Sequence, residues 1–298
     1  MGNMDTFTLP SSRSGCNLFC YKWVPETEVR FTVQLLHGML EYIPRYEELA
    51  QYLNSKGVAV FGHDHLGHGR TSPTEPGFFN DVDGDLNLVD DAKVVCDHVS
   101  RECPDVPHFL LGHSMGSYIA RRFITKYGDS IDGVVAVGTG NRSLEDAEKM
   151  VGFTLKVVAE NGPHAYSEDI DALVLGKNFS RVKVNGSDTS QMTEERRNRL
   201  RFQAGGYRDM FMLTLRLARE EGFENIPKDL PVGFFSGSND MVGGMGKGVA
   251  AAADVLTKHG LSPFVRIYDG MNHDILHETD CGLVYEDILD WMEKTVKL

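Results

Sequence analysis

Short apolar runs alternate with longer segments of helical spacing along the first half of the chain. Phe7 to Pro10 and Asn17 to Val24 alternate weakly around Ser11-Ser12-Arg13-Ser14-Gly15, which predicts an opening antiparallel hairpin. Phe31 to Leu36 is a continuous apolar-rich strand ending in His37-Gly38-Met39-Leu40. Arg45 to Ser55 has helical spacing at Tyr46, Leu49, Tyr52 and Leu53, with Pro44 at its start and Gly57 after its end. Val58 to Phe61 reads as the next strand, Asp64 to Arg70 as a loop, and Leu86 to Val99 as a helix whose acidic start suits the helix dipole. Phe109 to Leu111 as a strand, Ser117 to Tyr127 as a helix and Gly133 to Val137 as a strand continue the series. Strands that are nearly all apolar, alternating with helices, predict an α/β architecture: a mostly parallel sheet with helices on both faces.

The alternation breaks after Gly138. From Asn141 to about Asn225 there is no buried-strand run, only amphipathic helices such as Ala147 to Glu160 and Tyr207 to Arg219, joined by polar turns. The sheet resumes at Pro231 to Phe235, followed by a helix (Lys247 to His259), a strand (Phe264 to Tyr268) and a last helix (Tyr285 to Lys297). The expected organisation is a core of residues 1–140 and 227–298. Residues 141–226 form a helical insertion that would sit over the carboxyl ends of the strands as a cap.

The chemistry concentrates between the strand at Phe109 and the helix at Ser117, where Gly112-His113-Ser114-Met115-Gly116 has the form G-x-S-x-G. A serine on a sharp strand-to-helix turn projects its hydroxyl outward, and the flanking glycines let neighbouring backbone approach. The amide of Met115, at a helix start, points toward an anion formed during acyl transfer. A serine hydroxyl needs a histidine base, and the histidine needs a carboxylate. In a doubly wound hydrolase sheet these follow in the order nucleophile, acid, histidine. Asp240 lies just beyond one late strand and His273 beyond the last. Asp269 and His277 compete as bases. The loop Gly270-Met271-Asn272 favours His273, whereas His277 falls at the entry to the final helix. A second oxyanion donor must come from another strand end, and the amide of Met39 is placed for it, with His37 bracing the loop. His113, beside the nucleophile, reads as packing.

Two clusters resemble metal sites. His63-Asp64-His65 with His68 reads instead as a tight loop held by side-chain hydrogen bonds. Asp81-Val82-Asp83-Gly84-Asp85 has its glycine misplaced for calcium and Ala92 at the twelfth position, so helix capping accounts for it better. No metal and no cofactor is expected. With 43 acidic against 30 basic residues the net charge is −13, which argues against nucleic acid and an anionic membrane surface as partners. The five cysteines form no metal pattern and are odd in number, which favours a reducing, cytoplasmic setting. No apolar run approaches the ~20 residues of a membrane span. Met1 to Thr6 fits the short myristoylation pattern, but no basic cluster follows to supply a second membrane signal.

Together these stretches resemble the monoacylglycerol lipase and lysophospholipase-like branch of the α/β-hydrolases. They are His37-Gly38-Met39-Leu40-Glu41 with Arg45-Tyr46, then His63 to Gly69, Gly112 to Gly116, Gly237-Ser238-Asn239-Asp240, and Asn272-His273 with His277-Glu278. Leu40 and Tyr42 stand where that family often has glycine and histidine. The resemblance implies the α/β-hydrolase fold with a helical cap, Ser114, Asp240 and His273 as the triad, and the Met39 and Met115 amides as the oxyanion hole. It also implies that Glu41 and Arg45 lie near the alcohol end of the substrate. Read from the residues alone, that pair is equally a salt bridge that positions the loop. The expected reaction is hydrolysis of a small-molecule acyl ester, a monoacylglycerol or lysophospholipid. Short-chain or aryl ester, thioester and peptide hydrolysis on the same triad remain open, as does a non-catalytic receptor of the same fold. Apolar faces of the insertion, with Phe153 and Phe211 among them, would line an acyl tunnel or simply pack the cap onto the core. Membrane contact is expected to be transient at most, through the cap. The oligomeric state is open.

Overall fold

The computed structural model describes residues 2–174 and 201–296, together with the backbone of two short antiparallel pieces, Lys183–Val184 and Ser187–Asp188. Eight strands form one sheet: β1 (Met4–Pro10), β2 (Asn17–Trp23), β3 (Phe31–Leu36), β4 (Val58–His63), β5 (His108–His113), β6 (Gly133–Val137), β7 (Val232–Gly237) and β8 (Phe264–Tyr268). Their spatial order is β1-β2-β4-β3-β5-β6-β7-β8. The β1/β2 and β2/β4 pairs are antiparallel and every other pair is parallel. The described helices of four or more residues that follow α geometry are α1 (Glu47–Ser55), α2 (Gly84–Glu102), α3 (Met115–Tyr127), α4 (Leu144–Asn161), α5 (Glu168–Val174), α6 (Ala204–Ala218), α7 (Lys247–Lys258) and α8 (Cys281–Thr295).

The central strands are buried on both faces because their odd and even residues enter different cores. Leu110, Val134, Ala136 and Phe234 pack with α2, α3 and α7. Phe109, Leu111, Val135, Val137 and Phe235 pack with α1 and α8 on the other side. The edges depart from the expected coverage. β8 pairs only with β7, and its Phe264, Val265 and Ile267 are 42%, 39% and 38% exposed. A terminal strand has no further neighbour to bring helices across it.

Element starts also shift. α2 begins at Gly84, and Asp83 makes no side-chain cap; the neighbouring Asp85 instead accepts from Arg216 Nε of α6 at 2.6 Å. Asp85, in the first turn of α2, is therefore a tether to α6, and Asp83 does not form the cap expected of this acidic cluster. α4 does carry a side-chain cap, with Ser143 accepting from the Asp146 amide at 3.1 Å. Between β6 and β7, α6 packs against α2, α3 and α4 and is buried along most of its length. Residues 175–200 of the expected insertion lie outside the described residues, apart from the two short pieces.

Every parallel strand ends on the same side of the sheet. The loops after β3, β5, β6, β7 and β8 consequently converge there, at the point where the order turns from β4-β3 to β5-β6.

Candidate active site

Ser114 occupies the turn between β5 and α3 with φ 51° and ψ −116°, a strained conformation for a residue with a side chain. Three hydrogen bonds hold its backbone. Its amide donates to Val137 O of β6 at 2.9 Å, and its carbonyl accepts from the Ser117 amide at 2.9 Å and hydroxyl at 2.6 Å. A Cβ on Gly116 would lie 1.9 Å from Leu36 O, and one on Gly112 2.3 Å from Gly116 O. No larger residue fits either position, which is the physical content of the G-x-S-x-G spacing.

The expected partners meet at this serine. Ser114 Oγ lies 2.9 Å from His273 Nε2, and His273 Nδ1 lies 2.9 Å from Asp240 Oδ1. The buried carboxylate can only accept, so Nδ1–H donates to it and Nε2 is left to accept the serine hydroxyl. Asp240 also accepts from the Val242 amide at 2.8 Å and the Ser236 hydroxyl at 3.0 Å. Burial opposes its ionisation, but the hydrogen bond from His273, with the other donors, holds its carboxyl below the ordinary value. The competing bases are elsewhere. His277 is bound between Asp274 Oδ1 at 2.7 Å and Arg45 O at 3.0 Å, while Asp269 accepts from Ser238 Oγ at 3.3 Å.

The loop after β3 lies directly against the serine. A Cβ on Gly38 would meet Ser114 Cβ at 3.2 Å. Met39 follows it, and Met115 opens α3, so the two amides come from the two segments that flank Ser114. Glu41 ties this loop together. It accepts from the Gly38 amide at 2.9 Å, from Arg45 at 3.0 Å and from the Tyr46 hydroxyl. Arg45 also binds Asp274, next to His273. Below, His37 is fixed between Gly38 O at 2.8 Å and the His65 amide at 3.0 Å, and His68 Nε2 accepts from the Leu40 amide at 3.1 Å. Leu40 adopts φ 63° there, a conformation glycine would reach without strain.

The histidine-rich loop is held by hydrogen bonds as its sequence suggests. Asp64 accepts from the Ile43 amide, the Tyr21 hydroxyl and the Arg70 amide at 2.9, 2.9 and 2.8 Å. Burial pushes His63 and His68 down to about 3 and His37 down to about 4, so these rings are neutral. Among the described residues no group of three or more His, Cys, Asp or Glu is arranged to hold a metal ion.

A family model described as serine aminopeptidase, S33, matches residues 27–280. The chain belongs to this family. It is 32% identical over 186 residues to the monoglyceride lipase of Mus musculus, a match covering 58% of this chain and 56% of that protein. The chain thus spans little more than half the length of that relative. It is 24% identical over 279 residues to the monoacylglycerol lipase of Mycolicibacterium smegmatis, covering 91% of this chain and 90% of that one. Among solved structures, a thermostable carboxyl esterase from Bacillus coagulans in complex with glycerol matches with a TM-score of 0.85 at 23% identity, covering 99% and 100% of the two chains. A soluble variant of monoglyceride lipase from Saccharomyces cerevisiae matches at 0.70 and 20%, covering 99% and 96%. The fold is therefore that of the α/β-hydrolases.

In this α/β-hydrolase, two residues beside Ser114, His273 and Asp240 were not apparent from sequence. His113 is a junction, not packing. Its ring meets Tyr46 Oη at 3.1 Å, Glu41 Oε2 at 3.3 Å and His273 O at 3.4 Å. Burial alone would lower its pKa, but Glu41 and then Asp274 raise it. Burial would likewise raise Glu41, yet the charge and hydrogen bond of His113, with Arg45 and Tyr46, hold that carboxyl well below the usual range. Asp274 is the second, shared by Arg45 and His277. The available signal was its three-residue spacing from His277 directly after His273. Farther out, Phe211 is buried at 1% exposure under the Arg142 guanidinium, 5.7 Å from its ring centre. Phe153 is half-buried against the same core.

Proposed function

We propose that this chain is a serine hydrolase that cleaves carboxylic esters, with a monoacylglycerol as its favoured substrate. The observation that carries the reading is the unbroken chain from Ser114 Oγ through His273 to Asp240, with 2.9 Å at each link. Ser114 Oγ attacks the acyl carbonyl carbon and its proton passes to His273 Nε2. The Met39 and Met115 amides receive the oxyanion. His273 then gives that proton to the departing alcohol oxygen, and a water molecule releases the acid by the same steps in reverse. The substrate class is supported by the names of the mouse and mycobacterial relatives.

Residues 141–226 act in this reading as a cap, and the apolar side chains of α4 and α6, Phe153 and Phe211 among them, receive the acyl chain. Glu41 and Arg45 keep 11% and 19% of their side chains accessible, enough for a glycerol head group to meet them at the rim of the loop they brace. Exposed Leu144, Leu155 and Leu173 on that segment suit brief contact with a lipid surface. All five cysteines are free, which accords with a cytoplasmic setting.

The test is a panel of monoacylglycerols, a lysophospholipid, short p-nitrophenyl esters and an aminoacyl amide, run with wild type and Ser114→Ala. Monoacylglycerols are expected to give the highest kcat/KM, and the variant to lose on the order of 10⁶ in kcat. Turnover is expected to be unchanged by EDTA. Hydrolysis by folded Ser114→Ala near the wild-type rate overturns the mechanism. A preference for acetyl esters, with no gain for longer chains, overturns the substrate.

A further inference from the structure

One strongly polar side chain near the site has no role in the chemistry above. Arg121 lies on α3, two turns beyond Ser114, and is 1% exposed. A buried guanidinium ordinarily needs a carboxylate partner. Among the described residues Arg121 forms no ion pair. Its three hydrogen bonds all reach the segment that leaves β6: Thr139 Oγ1 at 3.3 Å, Gly140 O at 2.7 Å and Asn141 Oδ1 at 3.0 Å. Its buried Nε has no acceptor among the described residues. Burial pulls the guanidinium down to about 10, so it remains charged at neutral pH.

That segment is where the other two triad loops rest. A Cβ on Gly138 would meet His273 O at 2.9 Å and the His273 ring at 3.1 Å. A Cβ on Gly243 would meet Thr139 O at 3.1 Å and Asp240 Oδ2 at 3.0 Å. A Cβ on Gly140 would meet Val242 O at 2.5 Å, and one on Gly248 would meet the Asn141 amide at 3.1 Å. The loops carrying Asp240 and His273 therefore touch residues 138–141 along bare backbone, and the guanidinium grips those same residues from the helix that carries Ser114.

We propose that Arg121 is a positioning residue: from within the nucleophile helix it locks the exit of β6, and thereby sets the Asp240 and His273 loops against Ser114. A charge retained in the core without a carboxylate is explained by this task. A partner carboxylate would compete for the donors that Thr139, Gly140 and Asn141 use. The inference rests on the Ser114-His273-Asp240 reading of the site.

The test compares wild type, Arg121→Met and Arg121→Lys on a p-nitrophenyl ester, with the active fraction counted by a fluorophosphonate probe. Hydrogen exchange of segments 138–142 and 240–248 is followed in each protein. The methionine variant is expected to lose up to about 10²-fold in kcat with KM within twofold of wild type, the scale of an ångström's misplacement. Both segments are expected to exchange faster together. Lysine, able to reach Gly140 O, is expected to recover most of the loss. Should Arg121→Met not fold, Asn141→Ala removes one acceptor from a half-buried site. It is expected to lower kcat about threefold, the scale of one hydrogen bond. A lowered melting temperature with unchanged kcat per active site, or exchange that quickens at 138–142 but not at 240–248, overturns the proposal. If wild type neither labels nor hydrolyses, the serine-hydrolase reading fails, and the exchange comparison still decides whether Arg121 holds the two segments.

Discussion

On one side of Ser114 the segment from His37 to Tyr46 is tied by charged side chains; on the other, residues 138–141 and the Asp240 loop meet backbone to backbone. Glu41, Arg45, Asp274 and His113 bind the first side to the His273 loop with both signs of charge in contact. The second side has Gly138, Gly140, Gly243 and Gly248 at its contacts and the Arg121 guanidinium beneath them. The difference has consequences. Side chains can give by a few tenths of an ångström, and their hold depends on protonation. Backbone contacts cannot give, and between pH 6 and 9 their hold is indifferent to pH. Substitution and pH should thus divide the site into two halves.

The largest effect falls where the halves meet. His273→Ala is expected to cost about as much in kcat as Ser114→Ala, on the order of 10⁶, because the two act as one unit. His277→Ala removes a partner of Asp274 and Arg45 on the charged side only. It is expected to cost far less, which steady-state kinetics on one ester will show. If the two histidines ranked the other way, the assignment of the base would be wrong.

Next come paired glycine substitutions, one in each half. Gly140→Ala would press a Cβ against Val242 O at 2.5 Å, which is backbone and cannot swing aside. Overpacking of this kind costs about 1–3 kcal/mol of stability and is expected to lower kcat as Asp240 moves. Gly38→Ala meets Glu41 Oε2 at 3.0 Å and Ser114 Cβ at 3.2 Å, and the Glu41 side chain can yield. A loss below about 1 kcal/mol is expected. Urea unfolding of the two variants measures the contrast, and equal losses would remove the distinction between a yielding and an unyielding half.

The two halves also differ in how far they could be foreseen. Ser114, Asp240 and His273 follow from local patterns, since G-x-S-x-G, strand ends and chain order are all properties of neighbours in sequence. The braces are not local. His113 reaches Glu41 across 72 residues, and beside a nucleophile it looks like filling. Arg121 sits in Ile119-Ala120-Arg121-Arg122-Phe123, where an arginine pair suggests the solvent face of a helix. Only the return of the β6 exit over α3 buries the first of them. The exposed β8 was missed for a related reason. An apolar run marks a strand but does not tell a central strand from a terminal one. Conversely, the bracing role of His37 and the hydrogen-bonded His63 to Gly69 loop were apparent from local glycine and histidine spacing, although their partners Ile43, His65 and Tyr21 lie 21, 28 and 43 residues away.

The smallest effect expected is a pH dependence between pH 6 and 9 that belongs to the charged half alone. His113 is raised above its ordinary 6.5, with burial opposing and Glu41 then Asp274 favouring the proton. Its contribution to stability is therefore full below pH 6.5 and is lost as pH rises through the folded value. Glu41 is lowered from its ordinary 4.5, with burial opposing and His113 favouring ionisation. Its contribution is full above pH 4.5 and is lost as pH falls through its folded value. The pair is at full strength between about pH 4.5 and 6.5, the two ordinary values. The groups facing His113 come from two segments: His37, Glu41 and Tyr46 after β3, and His273 and Asp274 after β8. Glu41→Gln keeps most of the hydrogen-bonding shape but removes the charge that holds the His113 proton. Melting temperatures of wild type and Glu41→Gln are expected to differ most near pH 6 and to converge as pH rises toward 9. Arg121→Lys, in the other half, is expected to run parallel to wild type over the same range. A wild-type minus Glu41→Gln difference that stays flat from pH 6 to 9 would show that His113 carries no proton in the folded chain. The division between a protonation-dependent and a backbone-built half would then fail at its charged end.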